Sequence, residues 1–175
     1  MDIFFVLALV MLNGIFAMSE IALVTARRPR LSRLVEEGDA AAIVALRLHD
    51  EPTRFLSTIQ IGITSIGVLN GIVGESVLAA PLAGWLFRFG LEQETSRIAA
   101  TGLVVVLITY ITIVVGELVP KRIGQFNPEG TARLVARPMH YLSLFTYPFV
   151  RLLTMSTDAL LLLLGQRAPA GQSVT

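Results

Sequence analysis

The chain reads as an all-α integral membrane protein: three transmembrane helices with amphipathic juxtamembrane helices at the cytoplasmic face. Three observations predict this. Of the 175 residues 54% are hydrophobic and only 15% charged, and mean hydropathy is +0.70, far from the balance of a soluble domain. Three apolar stretches, about Ile3–Ala26, Phe55–Phe87 and Ile98–Val119, each reach the roughly 20 residues a bilayer crossing requires. The arginines also fall unevenly between those stretches.

The first stretch carries only Asp2 ahead of it, lacks a basic leader and stays apolar to Val24 without a small-residue cleavage site, so it reads as a retained span. Between spans one and two lie Arg27, Arg28, Arg30, Arg33, Arg47 and Arg54. Lys121, Arg122, Arg133 and Arg137 follow span three. Only Arg88 and Arg97 separate spans two and three, beside Glu92 and Glu94. Positive charge marks the cytoplasmic side, which predicts a multi-pass protein of the cell membrane with its N-terminus outside.

Within the first cytoplasmic loop, Leu31, Leu34, Val35, Gly38, Ala41, Ala42, Ala45 and Leu46 recur at helical spacing. The pattern predicts an amphipathic helix at the inner membrane surface, or equally a loop helix packed on its neighbours. Span two has surplus length and a stripe of Ser57, Gln60, Thr64, Gly67, Gly71 and Gly74, bordered by Asn70. Its Gly67–Gly71 spacing suits close approach of another helix. The last apolar segment, Met139–Leu164, is interrupted by Pro148, Arg151 and Asp158. We read it as two helices bending at Pro148 near the cytoplasmic face, in preference to a straight fourth span. Residues 1–167 form the membrane domain in this reading, and 168–175, rich in small and polar residues, a linker toward a cytoplasmic region.

Glu117 is the most informative residue. It ends an apolar run, where a carboxylate costs roughly 2.5–3.5 kcal/mol or more and usually faces a cavity, a partner or an ion. Pro120 has no N–H to offer the carbonyl of Gly116, which predicts a bare oxygen one residue from that carboxylate. Thr109, Thr112 and Gly116 share a face of span three. Span one contributes Asn13 and Glu20, seven apart, with Ser19 beside them. Asn13 reads as interhelical glue, Ser19 as bonded to its own helix, and Glu20 as a partner for Arg27 or Arg28. Asn70 brings an amide oxygen from span two. His49 and His140 fall in cytoplasmic flanks, and there are no cysteines, so the ligand inventory is all oxygen and favours a hard cation. A site of Ser19, Asn70, Glu117 and the Gly116 carbonyl suits Mg²⁺ or Na⁺, and the residues alone do not choose between them.

Ser19-Glu-Ile-Ala-Leu23, Gln60-Ile-Gly-Ile-Thr64 with Leu69-Asn-Gly71, and Gly116-Glu-Leu-Val-Pro-Lys121 resemble, in order and spacing, the N-terminal transmembrane domain of the CNNM/CorC family. The resemblance covers nearly the whole chain, and Gly-Glu-x-x-Pro-Lys is its most specific part. It implies a homodimer that transports Mg²⁺, exporting it in exchange for Na⁺, with three spans per subunit and juxtamembrane helices belting the inner face. It also implies a cytoplasmic CBS-domain pair beyond this chain. Ser19, Asn70, Gly116 and Glu117 fall at positions resembling the family's ion ligands, and Glu20 joins them on the same ground. One difficulty accompanies this assignment. If span two enters the membrane at Phe55, Asn70 lies about 22 Å along it, whereas Ser19 and Glu117 sit near inner helix ends.

The chain offers little to other functions. No Gly-x-Ser-x-Gly, intramembrane His or paired aspartates support an enzyme, and a net charge of +1 gives no case for nucleic acid. The rival reading is a membrane scaffold or sensor that moves no ion, in which the polar residues only pair helices and a cytoplasmic domain signals.

Overall fold

The computed structural model describes residues 2–164, so the expected linker at 168–175 lies outside the described residues. Seven α-helices and one π-helical turn make up the fold, with no strand among the described residues. Helix α1 is Asp2–Thr25, α2 Arg28–Glu36, α3 Ala40–Asp50 and α4 Pro52–Arg88. Helix α5, Gln93–Ile113, passes through a π-helical turn at Val114–Leu118 into α6, Val119–Phe126, and α7 is Pro128–Leu163. Three stretches are long and apolar enough to cross a membrane: Ile3–Thr25, Pro52–Arg88 and Gln93–Phe126. The all-α, three-span architecture expected from the sequence is the one observed.

The layer expected at the cytoplasmic face differs from expectation in its joints. The continuous helical pattern from Leu31 to Leu46 is divided into α2 and α3. Gly38 takes φ 87°, a conformation that side chains resist. Asp39 then starts a new helix, its Oδ1 accepting the N–H groups of Ala41 and Ala42 at 2.8 and 3.1 Å. Neither helix stands alone on the membrane surface. Leu31, Ala45 and Leu48 share one core with Ala132, Val135, Ala136 and Met139 of α7.

Two charged contacts fasten this layer. Asp39 pairs with Arg133 of α7. Glu129, only 8% exposed, accepts the backbone N–H of Arg27 at 3.3 Å and lies 3.5 Å from the Arg30 guanidinium. Burial of that carboxylate is tolerable because it has both a donor and a cation.

Helix α7 continues through Pro138 and Pro148 as one element, so the expected division into two helices at Pro148 is not found. A proline removes one intrahelical bond. Here the residues before Pro148 are held by buried Ala132, Ala136, Met139 and Ser143, and packing outweighs that loss. Beyond Val150 the helix is exposed almost throughout. It is not among the stretches suited to crossing a membrane.

Helix α4 removes the depth difficulty. Its 37 residues extend about 55 Å at 1.5 Å per residue, nearly twice a hydrocarbon core. Phe55 and Ile59, near its start, share one core with Leu31 of α2 and Met139 of α7. The span proper therefore begins well after Phe55, and Asn70 lies at a depth that spans one and three reach.

Candidate functional site

The expected small-residue stripe on α4 faces two ways. Gln60, Thr64, Gly67 and Gly71 are exposed, and a Cβ on either of those glycines would meet nothing within 4 Å. Asn70 and Gly74 turn inward, Gly74 lying under the Ile108 side chain. The close helix approach occurs elsewhere, between α1 and the third span. A Cβ on Gly116 would come within 3.2 Å of the Val10 carbonyl oxygen and 3.3 Å of Asn13 Nδ2. On Gly14 it would meet the Pro120 ring at 2.9 Å, and on Gly124 the Met18 carbonyl oxygen at 2.9 Å. Residue numbers rise together along both helices, so they run parallel, as an N-out, three-span topology requires.

At this contact sits the π-helical turn. A proline ring crowds the carbonyl four residues earlier, and that residue here is Gly116. Widening the helix at Val114–Leu118 relieves the conflict and aims the Gly116 carbonyl at α1. The oxygen is not bare, contrary to expectation: it accepts the Asn13 amide N–H at 2.9 Å. The Gly116–Pro120 pair did signal a disturbed backbone, but only the fold reveals which group answers it. Asn13, read as interhelical glue, is therefore the residue whose place at the site went unrecognised. Its spacing from Glu20 was the only hint.

Asn70 reaches the same stretch from α4, its Nδ2 donating to Thr112 Oγ1 at 2.7 Å. Both amides are sealed, Asn13 at 2% and Asn70 at 1% exposure. In each the nitrogen is used and the carbonyl oxygen, Oδ1, is buried with no hydrogen-bond partner among the described residues. An unpaired buried amide oxygen costs about 1–3 kcal/mol. Two of them, on different helices, are anchored within one turn of the third span.

Glu117 and Glu20 lie one step further toward the end where α2, α3 and the first half of α7 gather. Lys121 Nζ lies 2.8 Å from Glu117 Oε1 and 3.1 Å from Glu20 Oε2, a triad of two carboxylates and one ammonium. Glu20 thus pairs with Lys121, not with Arg27 or Arg28 as expected. The triad side chains are 28–38% exposed, whereas the amides are covered. Ser19 is fully buried and donates to the Ile15 carbonyl at 2.6 Å, the ordinary partner of a membrane serine. No hydrogen bond among the described residues joins Ser19 to Asn70 or Glu117. Of the five expected ligands, the structure joins Glu20 and Glu117 through Lys121. Asn70 is bonded to Thr112, and the Gly116 carbonyl to Asn13. No group of three His, Cys, Asp or Glu side chains suited to a metal occurs among the described residues, so any cation held here needs neutral oxygens beside the carboxylates of Glu117 and Glu20.

A larger cleft of about 1050 Å³ opens between α4 and α5 at their far ends, lined by Glu75, Gln93, Glu94, Arg97 and Thr101 among others. It is remote from the amides. Glu75 there accepts the Thr101 hydroxyl at 3.4 Å, and Glu94 pairs with Arg97.

Comparison with known proteins agrees with this architecture. The model of the cyclin M transmembrane N-terminal domain matches residues 3–175. The chain is 45% identical over its full length to UPF0053 protein sll0260 of Synechocystis sp. and covers 39% of that protein. It is 33% identical over 87% of its length to UPF0053 protein YhdT of Bacillus subtilis, covering 33% of that protein. It is also 32% identical over 85% of its length to a polyamine export protein of Salmonella typhimurium, covering 33% of it. The chain thus spans two fifths or less of these relatives. With its three spans, its π-helical turn in Gly-Glu-x-x-Pro-Lys and this match over almost every residue, the chain belongs to the CNNM family of membrane domains.

Proposed function

We propose that this domain carries Mg²⁺ across the membrane by alternating access, exporting it against Na⁺, as a homodimer in the cell membrane. The observation that carries this reading is the pair of buried, unpaired amide oxygens of Asn13 and Asn70, whose nitrogens are bonded to Gly116 and Thr112 in and beside the π-helical turn. Mg²⁺ takes six oxygens at about 2.0–2.1 Å and keeps water where protein ligands run out. Asn13 Oδ1, Asn70 Oδ1, the second lone pair of the Gly116 carbonyl and the Glu117 carboxylate would supply part of such a shell. The Ser19 hydroxyl joins by turning away from Ile15, and Glu20 adds charge at the rim. Occupation relieves two unpaired acceptors at once, so the empty and loaded states favour different helix packings, which is what alternating access requires.

Glu117→Gln keeps the shape and removes the charge. In proteoliposomes this variant is expected to abolish Mg²⁺ flux while eluting as a folded species of unchanged size. Unchanged flux would overturn the assignment of Glu117.

A second cargo is favoured by one specific contact. An alkylammonium, that of Lys121, already sits between Glu20 and Glu117, and a relative carries the name polyamine export protein. A polyamine would use the same carboxylates. Flux of spermidine that excess Mg²⁺ leaves undiminished would favour that reading, and flux of neither would favour the scaffold.

A further inference from the structure

Lys121 is poised to do more than neutralise its surroundings. It lies on α6, one turn after Glu117, and reaches across to Glu20 on α1. Its ammonium occupies the Glu117 oxygen on which the proposed cation site depends, at 2.8 Å. A metal ion and a lysine ammonium at that carboxylate compete, because like charges would then stand a few ångströms apart. Yet Lys121 does not lose its last partner when it leaves Glu117. Glu20 Oε2 is already within 3.1 Å.

We propose that Lys121 is a tethered competitor for the cation: it holds Glu117 when the site is empty and is handed to Glu20 when a divalent ion arrives. This rests on the Mg²⁺ reading above and adds to it the device that sets affinity and permits release. A dication has twice the charge of the ammonium and approaches oxygen at about 2.0–2.1 Å, so it wins Glu117 at sufficient concentration. The returning lysine then favours departure, which keeps binding weak enough for turnover. In this scheme Glu20 is a positioning residue and acts through Lys121. Because it lies on α1, the hand-over also changes the link between α1 and the third span with occupancy.

The test is Mg²⁺ titration calorimetry on the purified full chain, with gel filtration to verify folding. Lys121→Met is expected to bind Mg²⁺ about tenfold more tightly, the scale of one partly screened neighbouring charge. Lys121→Arg, which keeps the charge, stays near wild type. Glu20→Gln confines the lysine to Glu117 and weakens binding. In the Lys121→Met background, however, Glu20→Gln changes little, a non-additivity that a direct ligand would not show. A merely structural lysine would not raise affinity when removed. Unchanged or weaker binding in Lys121→Met, with wild-type binding still abolished by Glu117→Gln, overturns the competitor role alone. If Lys121→Met does not fold, Glu20→Gln decides: binding unchanged or tightened overturns the proposal, and weakened binding that Lys121→Ala restores upholds it. No Mg²⁺ binding in wild type or in Lys121→Met overturns the Mg²⁺ reading itself, and the competitor with it.

Discussion

At the scale of single residues, the glycines show what holds the site in shape. Neither Gly124, in the charged flank after span three, nor Gly67, in span two, shows in the sequence what lies against it. In the fold a Cβ on Gly124 would lie 2.9 Å from the Met18 carbonyl oxygen and 2.8 Å from Ile21 Cγ2, whereas one on Gly67 would meet nothing within 4 Å. Backbone cannot move aside as a side-chain tip can, so Gly124→Ala must push α1 away from the third span. Thermal unfolding is expected to show a loss of about 1–3 kcal/mol for Gly124→Ala, the usual range for overpacking, and a smaller effect for Gly67→Ala. Equal melting temperatures would refute the claim that this contact is close-packed. The same contrast explains why the site was only partly legible in the sequence. Glu117, Asn70 and Gly116 stand out because a charge, an amide and a proline-orphaned carbonyl are costly in a bilayer. Asn13 did not, since its importance depends on which helix lies beside it. Lys121 was legible as topology, and only the parallel approach of α1 turns it into a partner of Glu20.

At the scale of elements, helices were easier to foresee than their joints. Apolar length predicts a span almost by itself, and all three spans lie where the hydropathy put them. The division of the first loop at Gly38 and the continuity of α7 through Pro148 depend on tertiary packing, which periodicity does not report. The α2–α3 joint has a pH signature. Asp39 is held below its ordinary carboxylate range, first by the Ala42 N–H, with further help from the Ala41 N–H and Arg133. Asp50 is lowered by its hydrogen bond from Arg28. A carboxyl whose folded value is depressed stabilises the fold fully above its unfolded value, about 3.9 for Asp, and loses that contribution as pH falls through the folded one. The melting temperature should therefore decline as pH is lowered below about 4. Asp39→Asn keeps a capping oxygen for Ala41 and Ala42 but cannot titrate, so its decline should be shallower. Parallel curves for the two proteins would assign the acid sensitivity to other groups.

For the whole molecule, orientation decides which way the site opens. The triad of Glu20, Glu117 and Lys121 is part-exposed, while Asn13 and Asn70 are covered. That asymmetry corresponds to a site open on the side where α2, α3 and the first half of α7 gather. The positive-inside rule predicts that this side is the cytoplasm, since the layer carries Arg27 to Arg54 and Arg133 to Arg137, against Arg88 and Arg97 at the other end. A protein that exports a cation must receive it from this side, so charge bias and site exposure agree on one orientation. The absence of cysteine makes the check direct, because any thiol introduced is the only one in the chain. Gln93→Cys, exposed between α4 and α5, should react with a membrane-impermeant maleimide on intact cells. Glu36→Cys, exposed at the end of α2, should react only after the membrane is opened. The reverse pattern would place the open face of the site outside the cell, and the same carboxylates would then belong to an uptake route.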